Sequence, residues 1–165
     1  MWTITEITNK MIDFYNGNFE DISHLLKVHM YAKTIGESEG LNYTMQMLVE
    51  VAALLHDIGC PISREKYGDT SAVHQELEGE ILASGFLKDS GFPQWFVERV
   101  TYLVGHHHTI SGIDGMDYQI LIEADYIVNA TEKDYPKEEV KEYEETVFKT
   151  KMGKHLLKKN VINKK

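Results

Sequence analysis

The chain has 165 residues, of which 42% are hydrophobic, and its formal net charge is -9 at pH 7. This length and apolar content predict one domain with a sizeable core. The acidic balance argues against binding to nucleic acid polymers and to anionic membranes, because both call for a basic face. No stretch approaches the roughly 18 consecutive apolar residues of a membrane span, and the N-terminus lacks the apolar core of a signal peptide. The single cysteine, Cys60, excludes an intramolecular disulfide and favours a cytoplasmic location.

Apolar residues recur at helical spacing along the chain, and no strand or hairpin signal competes with them. Glycine, proline or asparagine separates the segments, as at Gly17-Asn18, Gly59 with Pro61, and Gly91 with Pro93. The predicted helices span residues 3–15, 20–39, 43–57, 71–88, 93–108, 117–132 and 136–158. Segment 60–75 is expected to be a loop. The sequence therefore predicts an all-α helical bundle formed by a single domain over residues 1–165.

A histidine–aspartate pair, His56 and Asp57, ends the apolar run 51–55 and is followed by Ile58 and Gly59. The pair is predicted to lie at the end of a core helix, since the preceding apolar residues share one helical face. Burial of an isolated charge costs several kcal/mol even after relaxation. Such a pair is therefore expected to be hydrogen-bonded, ion-paired or bound to a metal ion.

Histidine and carboxylate residues also recur in the other predicted helices. The candidate partners of the pair are His24, His74, the run His106, His107 and His108, and Asp125. They are dispersed over about a hundred residues, unlike the short-range ligands of zinc fingers, and would have to converge from separate helices, as in the metal sites of helical bundles. Adjacent side chains on a helix diverge by about 100°. The three consecutive histidines can therefore face one site only if their helix ends there, which Gly105 and Thr109 would allow.

These segments resemble the HD-domain metal-dependent phosphohydrolases over roughly residues 20–130. Segment 21–28, DISHLLKV, is similar to the segment with the first ligand histidine, and Lys27 is the basic residue three places on. Segment 52–59, AALLHDIG, resembles the segment with the family's signature pair. Segment 121–130, LIEADYIVNA, resembles the segment with the closing aspartate. Segment 74–109 resembles the two-metal branch, which includes the HD-GYP cyclic-dinucleotide phosphodiesterases, although no GYP follows the histidines.

The resemblance implies a single HD-type bundle with a metal site in its core and C-terminal helices over 132–160. It implies one metal ion held by His24, His56, Asp57 and Asp125. Asp57 could bridge to a second ion held by His74 and two histidines of the run. His107 is a ligand in either possible alignment of the run with the family's ligand positions. The second histidine is then His106, our first choice, or His108. Imidazole and carboxylate ligands suit manganese, iron, cobalt, nickel or zinc, so we expect one or two such divalent ions per chain.

The resemblance further implies hydrolysis of a phosphate ester of a small metabolite or a nucleotide by a metal-activated water. Asp57 and Lys27 are the expected catalytic residues, and Lys27, Arg64 and Lys66 the expected substrate-binding residues. Two alternatives stay open. One is a di-iron oxygenase, like the HD-fold relative myo-inositol oxygenase, and the other is a non-catalytic nucleotide-binding HD domain. The substrate itself is not specified by the fold.

Overall fold

The computed structural model describes all 165 residues and is built of helices joined by turns and short connections. The bounds are α1 Ile4–Tyr15, α2 Phe19–Ser38, α3 Tyr43–Leu55, α4 Cys60–Tyr67, α5 Ala72–Leu87, α6 Gln94–Val104, α7 Met116–Glu132, α8 Lys137–Thr146 and α9 Lys151–Leu157. A short 3-10 turn, Ile110–Gly112, precedes α7, and a π-helical turn, Lys158–Ile162, follows α9. No strand is present. The prediction of an all-α fold is confirmed.

Helix α3 lies at the centre of the bundle. It packs against α1, α2, α6 and α7, and every residue from 48 to 55 is buried. Its first turn is capped by Asn42, whose side-chain oxygen accepts a hydrogen bond from the Met45 N–H at 2.9 Å. By length and composition Tyr43–Tyr67 would pass for a membrane span, but 67% of its apolar window is buried inside the protein. A helix that is apolar all round is expected in such a central position.

Segment 60–75 is not the loop that the sequence suggested, because it contains helix α4. Helix α3 already ends at Leu55, and Gly59 and Pro61 lie at the start of the next helix. Proline fits the first turn of a helix, where its missing N–H would have no partner and its φ is already helical. Gly68 ends α4 in the left-handed conformation, with φ 72°. Gly59 and Pro61, which the sequence analysis took as a helix stop, therefore mark a helix start.

The predicted C-terminal helix 136–158 is wrong as a single element, since the chain turns between α8 and α9. Glu123 causes this turn from helix α7. Its buried carboxylate accepts hydrogen bonds from the Thr150 N–H at 3.2 Å and the Thr150 hydroxyl at 3.0 Å. Thr150 in turn caps α9 through the Gly153 N–H, at 2.9 Å. A tertiary contact of this kind has no signal in the local sequence.

Two glycines allow the start of α4 to pass close to α5. A Cβ atom on Gly59 would lie 2.6 Å from the Gly79 nitrogen, a separation that real Cβ atoms do not adopt. This close approach places the first turns of α5 beside the histidine run. There the Glu76 carboxylate accepts a hydrogen bond from the His108 N–H at 2.9 Å. The glycine of the HDIG segment thus helps to position one wall of the site.

Candidate metal centre

Two of the candidate metal ligands, His56 and His107, are held by the same kind of hydrogen bond at the C-terminal ends of two helices. His56 follows the last residue of α3, and its Nδ1–H donates to the Ala53 carbonyl at 2.8 Å. His107 lies just beyond α6 and donates from Nδ1 to the Val104 carbonyl at 2.8 Å. Carbonyls in the last turn of a helix lack intrahelical partners, so each ring satisfies one. Both rings therefore present an Nε2 lone pair to the site.

Helix α6 ends at Val104, which is earlier than the predicted bound of 108. The histidine run consequently lies in a turn, where the rings of His107 and His108 lie together with centroids 4.0 Å apart, while the His106 ring stacks on Tyr102. This is the arrangement that the sequence required for more than one of them to reach a common site.

His24 projects from helix α2 and is oriented by a carboxylate that the sequence analysis missed. Its Nδ1 lies 3.1 Å from Oε2 of Glu132, whose other oxygen accepts a hydrogen bond from Lys27 Nζ at 2.8 Å. A proton on Nδ1 leaves the Nε2 lone pair of His24 free, as for His56 and His107. Carboxylates in this position typically fix the tautomer of a metal-binding histidine.

The four residues predicted to hold the first ion converge in the core. The Nε2 atoms of His24 and His56 are 3.3 Å apart, and each lies 3.2 Å from Oδ1 of Asp125. Asp57 Oδ2 lies 3.3 Å from His24 Nε2 and 3.5 Å from His56 Nε2. Asn129 donates to Asp125 Oδ1 at 2.9 Å and helps to fix that carboxylate. We call His24, His56, Asp57 and Asp125 the first group.

A second set of ligand atoms shares Asp57 with the first group. Asp57 Oδ1 lies 3.3 Å from Nε2 of His107, which is buried and has no hydrogen-bond partner. Asp57, His107 and His108 each offer a ligand atom, and these atoms lie within 4.8 Å of one another. His108 is exposed, and its Nε2 lies 2.9 Å from Oε1 of Gln75. We call Asp57, His107 and His108 the second group.

The carboxylates of the cluster stabilise positive charge on the groups around them. Burial alone would lower the pKa of His24, but the hydrogen bond to Asp125 and the charge of Asp57 raise it to about 9. Burial also opposes protonation of His56, and the two aspartates outweigh it and raise its pKa. For Asp57, burial favours the neutral acid, but the nearby His56 and His107 lower its pKa. Either protons or a metal ion can supply this positive charge.

His108 responds in the opposite way. Its ring is partly shielded from water, which disfavours the charged form, and the neighbouring His107 adds repulsion. The pKa of His108 therefore falls to about 4. The imidazole is thus neutral near pH 7, as metal binding requires.

Two predicted ligands are not brought to the cluster. His74 Nδ1 lies 2.7 Å from Asp69 Oδ1, and the His74 ring stacks on Tyr67 with centroids 3.8 Å apart. His106 Nδ1 donates to the Tyr102 carbonyl at 2.7 Å, and its ring stacks on the Tyr102 ring at 4.0 Å. In this structure His107 and His108, rather than His74 and His106, accompany Asp57 in the second group.

Three predicted substrate-binding cations form ion pairs. Lys27 is bound to Glu132, as described above. Arg64 binds Asp21 through two hydrogen bonds of 2.6 and 3.0 Å. Lys66 Nζ lies 2.9 and 3.0 Å from the two carboxylate oxygens of Glu78. None of the three offers an unpaired charge to the cluster.

Two supporting residues that the sequence analysis missed could have been found from their spacing in the sequence. Asn129 and Glu132 lie four and seven residues after Asp125, and therefore on the same face of α7. Polar residues at that spacing from a predicted ligand are candidates for its supporting contacts. Gln75 carried no such signal, because it reaches His108 only through the packing of α5 against the turn after α6.

Comparison with known proteins gives a consistent result. Residues 21–150 match the HD domain family. The crystal structure of a predicted HD superfamily hydrolase from an uncultured Thermotogales bacterium is similar, with 27% sequence identity and a TM-score of 0.68. The similarity covers 95% of this chain and 82% of that one. No curated protein matches the chain.

Proposed function

The chain belongs to the HD domain family, and we propose on this basis that it is a metal-dependent hydrolase that cleaves phosphate esters of small metabolites or nucleotides. The family predicted from the HDIG segment is thereby confirmed. The similar structure, described as a predicted HD superfamily hydrolase, supports hydrolysis as the class of reaction. The substrate and the identity and number of metal ions are part of the proposal.

The observation that carries the proposal is the convergence of unshared lone pairs. His24, His56 and His107 each present Nε2 toward carboxylate oxygens at 3.2–3.5 Å, and their Nδ1 atoms are bound elsewhere. His107 Nε2 is buried without a hydrogen-bond partner. Buried nitrogen and oxygen lone pairs in such proximity repel one another unless a cation lies between them. The residues present therefore fit a divalent metal ion.

The donor set defines which residues would hold each ion. His24, His56, Asp57 and Asp125 would hold one, and Asp57, His107 and His108 would hold a second. Nitrogen and oxygen donors without thiolate suit manganese, iron, cobalt, nickel or zinc. When bound, such ions polarise phosphoryl oxygens and lower the pKa of a water ligand. Asp57 contributes by directing one oxygen to each group, and Glu132 and Asn129 contribute by keeping their ligand partners in the binding orientation.

The surroundings favour a small substrate. A cavity of about 330 Å³ adjoins His107, His108 and Asp125, a size suited to a compact ligand. The net charge of -9 disfavours nucleic acid polymers and anionic membranes, so we place the activity on a small molecule in the cytoplasm. For Lys27, Arg64 or Lys66 to bind substrate, each would first have to leave its ion pair.

The test uses a matched pair of histidines on helix α2. His24 belongs to the first group, whereas His29 is bound to Glu50 at 2.8 Å on another face of the helix. Wild-type protein, His24→Gln and His29→Gln are freed of metal and reloaded with each candidate ion. Metal content and phosphate release from a panel of phosphate monoesters and diesters are then measured. We expect wild type and His29→Gln to bind metal and release phosphate, and His24→Gln to lose both.

Two results would overturn the proposal. Oxygen uptake that depends on ferrous iron, without phosphate release, would indicate an oxygenase. Tight nucleotide binding by the metal-loaded protein, with no turnover of any ester, would indicate a non-catalytic domain.

A further inference from the structure

The cavity beside the second group has two chemically different sides. One side consists of His107, His108 and Asp125, which belong to the proposed metal centre. The other side comes from α7, the turn after it, and α8, and it includes Tyr126, Tyr135 and Tyr143. A phosphate ester whose phosphate lies at the cluster would extend its alcohol portion toward these tyrosines. The second side of the cavity is therefore placed to distinguish one alcohol from another.

The tyrosines form an aromatic wall that is held in place by mutual packing. The rings of Tyr126 and Tyr143 are parallel, with centroids 3.7 Å apart and planes 2° apart. Phe148 packs edge-on against both rings, and the Tyr135 ring centroid lies 5.7 Å from that of Tyr126. Aromatic faces favour stacked or edge-on contact with other flat rings, and a pre-formed wall costs little ordering when a ligand binds. The wall suits a flat ring better than an open, polar chain.

The charges that line the cavity limit how much phosphate it accepts. Outside the proposed ligands, the charged lining residues are Lys133 and Glu139, and both are exposed. One cation suits a single phosphate group. A second or third phosphate would bring further negative charge toward Glu139 in a chain whose net charge is -9, where like charges repel. The cavity is therefore suited to a monophosphate.

We propose that this cavity is the leaving-group subsite and that it selects monophosphate esters of compact alcohols that carry a flat ring. The inference rests on the proposed hydrolase function and adds the class of substrate. The phosphate lies at the cluster, the ring lies against Tyr135 and Tyr143, and Lys133 is the lysine that lines the same cavity. In the reaction, a water oxygen bonds to phosphorus and the bond from phosphorus to the ester oxygen breaks. The alcohol leaves with a proton, and inorganic phosphate remains.

A matched pair of substrates isolates the contribution of the ring. Adenosine 5′-monophosphate and ribose 5-phosphate have the same type of phosphate ester on the same sugar carbon, and they differ chiefly in the base. Stacking of a base on aromatic side chains predicts a kcat/KM about tenfold or more higher for the nucleotide. Tyr135→Leu should lower that ratio toward one, whereas Tyr135→Phe should keep it. Tyr143→Leu provides a second variant, and Tyr43→Leu, at an exposed position on α3, is the matched control.

A binding measurement gives a readout that does not depend on catalysis. Adenosine should bind to the metal-free wild-type protein at least about tenfold more tightly than ribose does, and Tyr135→Leu should remove this difference. Equal kcat/KM values for the two esters in wild type would overturn the subsite, as would an equal loss on both esters in the tyrosine variants. Failure of the hydrolase proposal looks different, because no ester would then release phosphate whether or not adenosine binds. Preferential hydrolysis of adenosine 5′-triphosphate over the monophosphate would overturn the charge argument.

Discussion

The two groups of proposed metal ligands differ in what holds them. In the first group, the side chains of His24, His56 and Asp125 are at most 11% exposed, and they come from α2, the end of α3 and α7. In the second group, His107 is buried but His108 is exposed on a turn beside the cavity. Packing of the core therefore fixes the geometry of the first group, whereas a turn positions the second. An ion in the first group should exchange slowly, and one in the second should be more accessible to substrate and to solvent.

Asp57 is the residue on which both groups depend, and its replacement should have the largest effect. Its Oδ2 faces His24 and His56, its Oδ1 faces His107, and its carbonyl accepts a hydrogen bond from the Tyr15 hydroxyl at 2.8 Å. Asp57→Asn keeps the shape but removes the charge that both ions would share. We expect metal content to fall toward zero and kcat/KM to fall by about 1,000-fold or more, since bound metal supplies several kcal/mol of charge stabilisation. Elemental analysis and phosphate release measure the two effects.

The control for this variant is Asp114→Asn, which removes an exposed carboxylate that is hydrogen-bonded to Arg99 and to no ligand of the cluster. Surface ion pairs contribute little, so metal content and turnover should match the wild type. If Asp57→Asn retained two ions and near-native turnover, the shared role of Asp57 would be disproved.

The histidine run offers the sharpest test of the second group. His107→Gln should reduce the metal content by about one ion while the first group stays filled, and we expect an activity loss of about 100-fold. His106→Gln is its matched neighbour, because that ring lies on Tyr102 and away from the cluster. It should leave metal content unchanged. A lost ion in His106→Gln, with none lost in His107→Gln, would restore the ligand pattern first expected from the sequence.

The sequence predicted the helical fold, and it singled out the four residues that the structure brings together in the first group, for related physical reasons. His56 and Asp57 follow an apolar run and Asp125 interrupts another, so their burial could be read from the local pattern. The second group could not be read in the same way. Which histidine of the run faces Asp57 depends on where α6 ends and on how α5 packs against the turn. Both are set by contacts between residues distant in the chain.

The loop that proved to be α4 and the break before α9 have the same explanation. Gly59 with Pro61 is compatible with either a helix stop or a helix start, and the local sequence does not choose between them. The break in 136–158 falls after Thr146, and α9 begins at its cap Thr150, which binds Glu123 on another helix. The functional consequence is concrete. Arg64 and Lys66, expected on a loop, are held on α4 in ion pairs.

Glu132 should have a smaller effect than the ligands, because it acts on the first group through His24. Glu132→Ala removes the acceptor of the His24 Nδ1 proton and also releases Lys27. We expect the metal affinity of the first group to fall by about 10–100-fold, with the second group less affected. Glu132→Gln retains an acceptor oxygen and should recover most of the affinity. Metal titration of the three proteins measures this, and equal affinity in all of them would show that Glu132 does not orient His24.

The smallest expected effect is on the stability of the metal-free protein. The contributions of the two groups to this stability change with pH in opposite directions. The pKa of His24 is raised to about 9 in the folded state from its ordinary value of 6.5, so its stabilising contribution is complete below pH 6.5 and lost as the pH rises toward 9. The pKa of His108 is lowered to about 4, so the unfolded chain binds more protons between pH 4 and 6.5, and stability rises across that window. The melting temperature of the chelator-treated protein should therefore peak near pH 6.5 and fall by a few degrees on either side. His24→Gln should reduce the slope on the alkaline side to the part contributed by the raised pKa of His56, and His108→Gln should flatten the acid side. If His24→Gln instead left the alkaline side unchanged, the excess positive charge of the metal-free cluster would have to reside on another histidine.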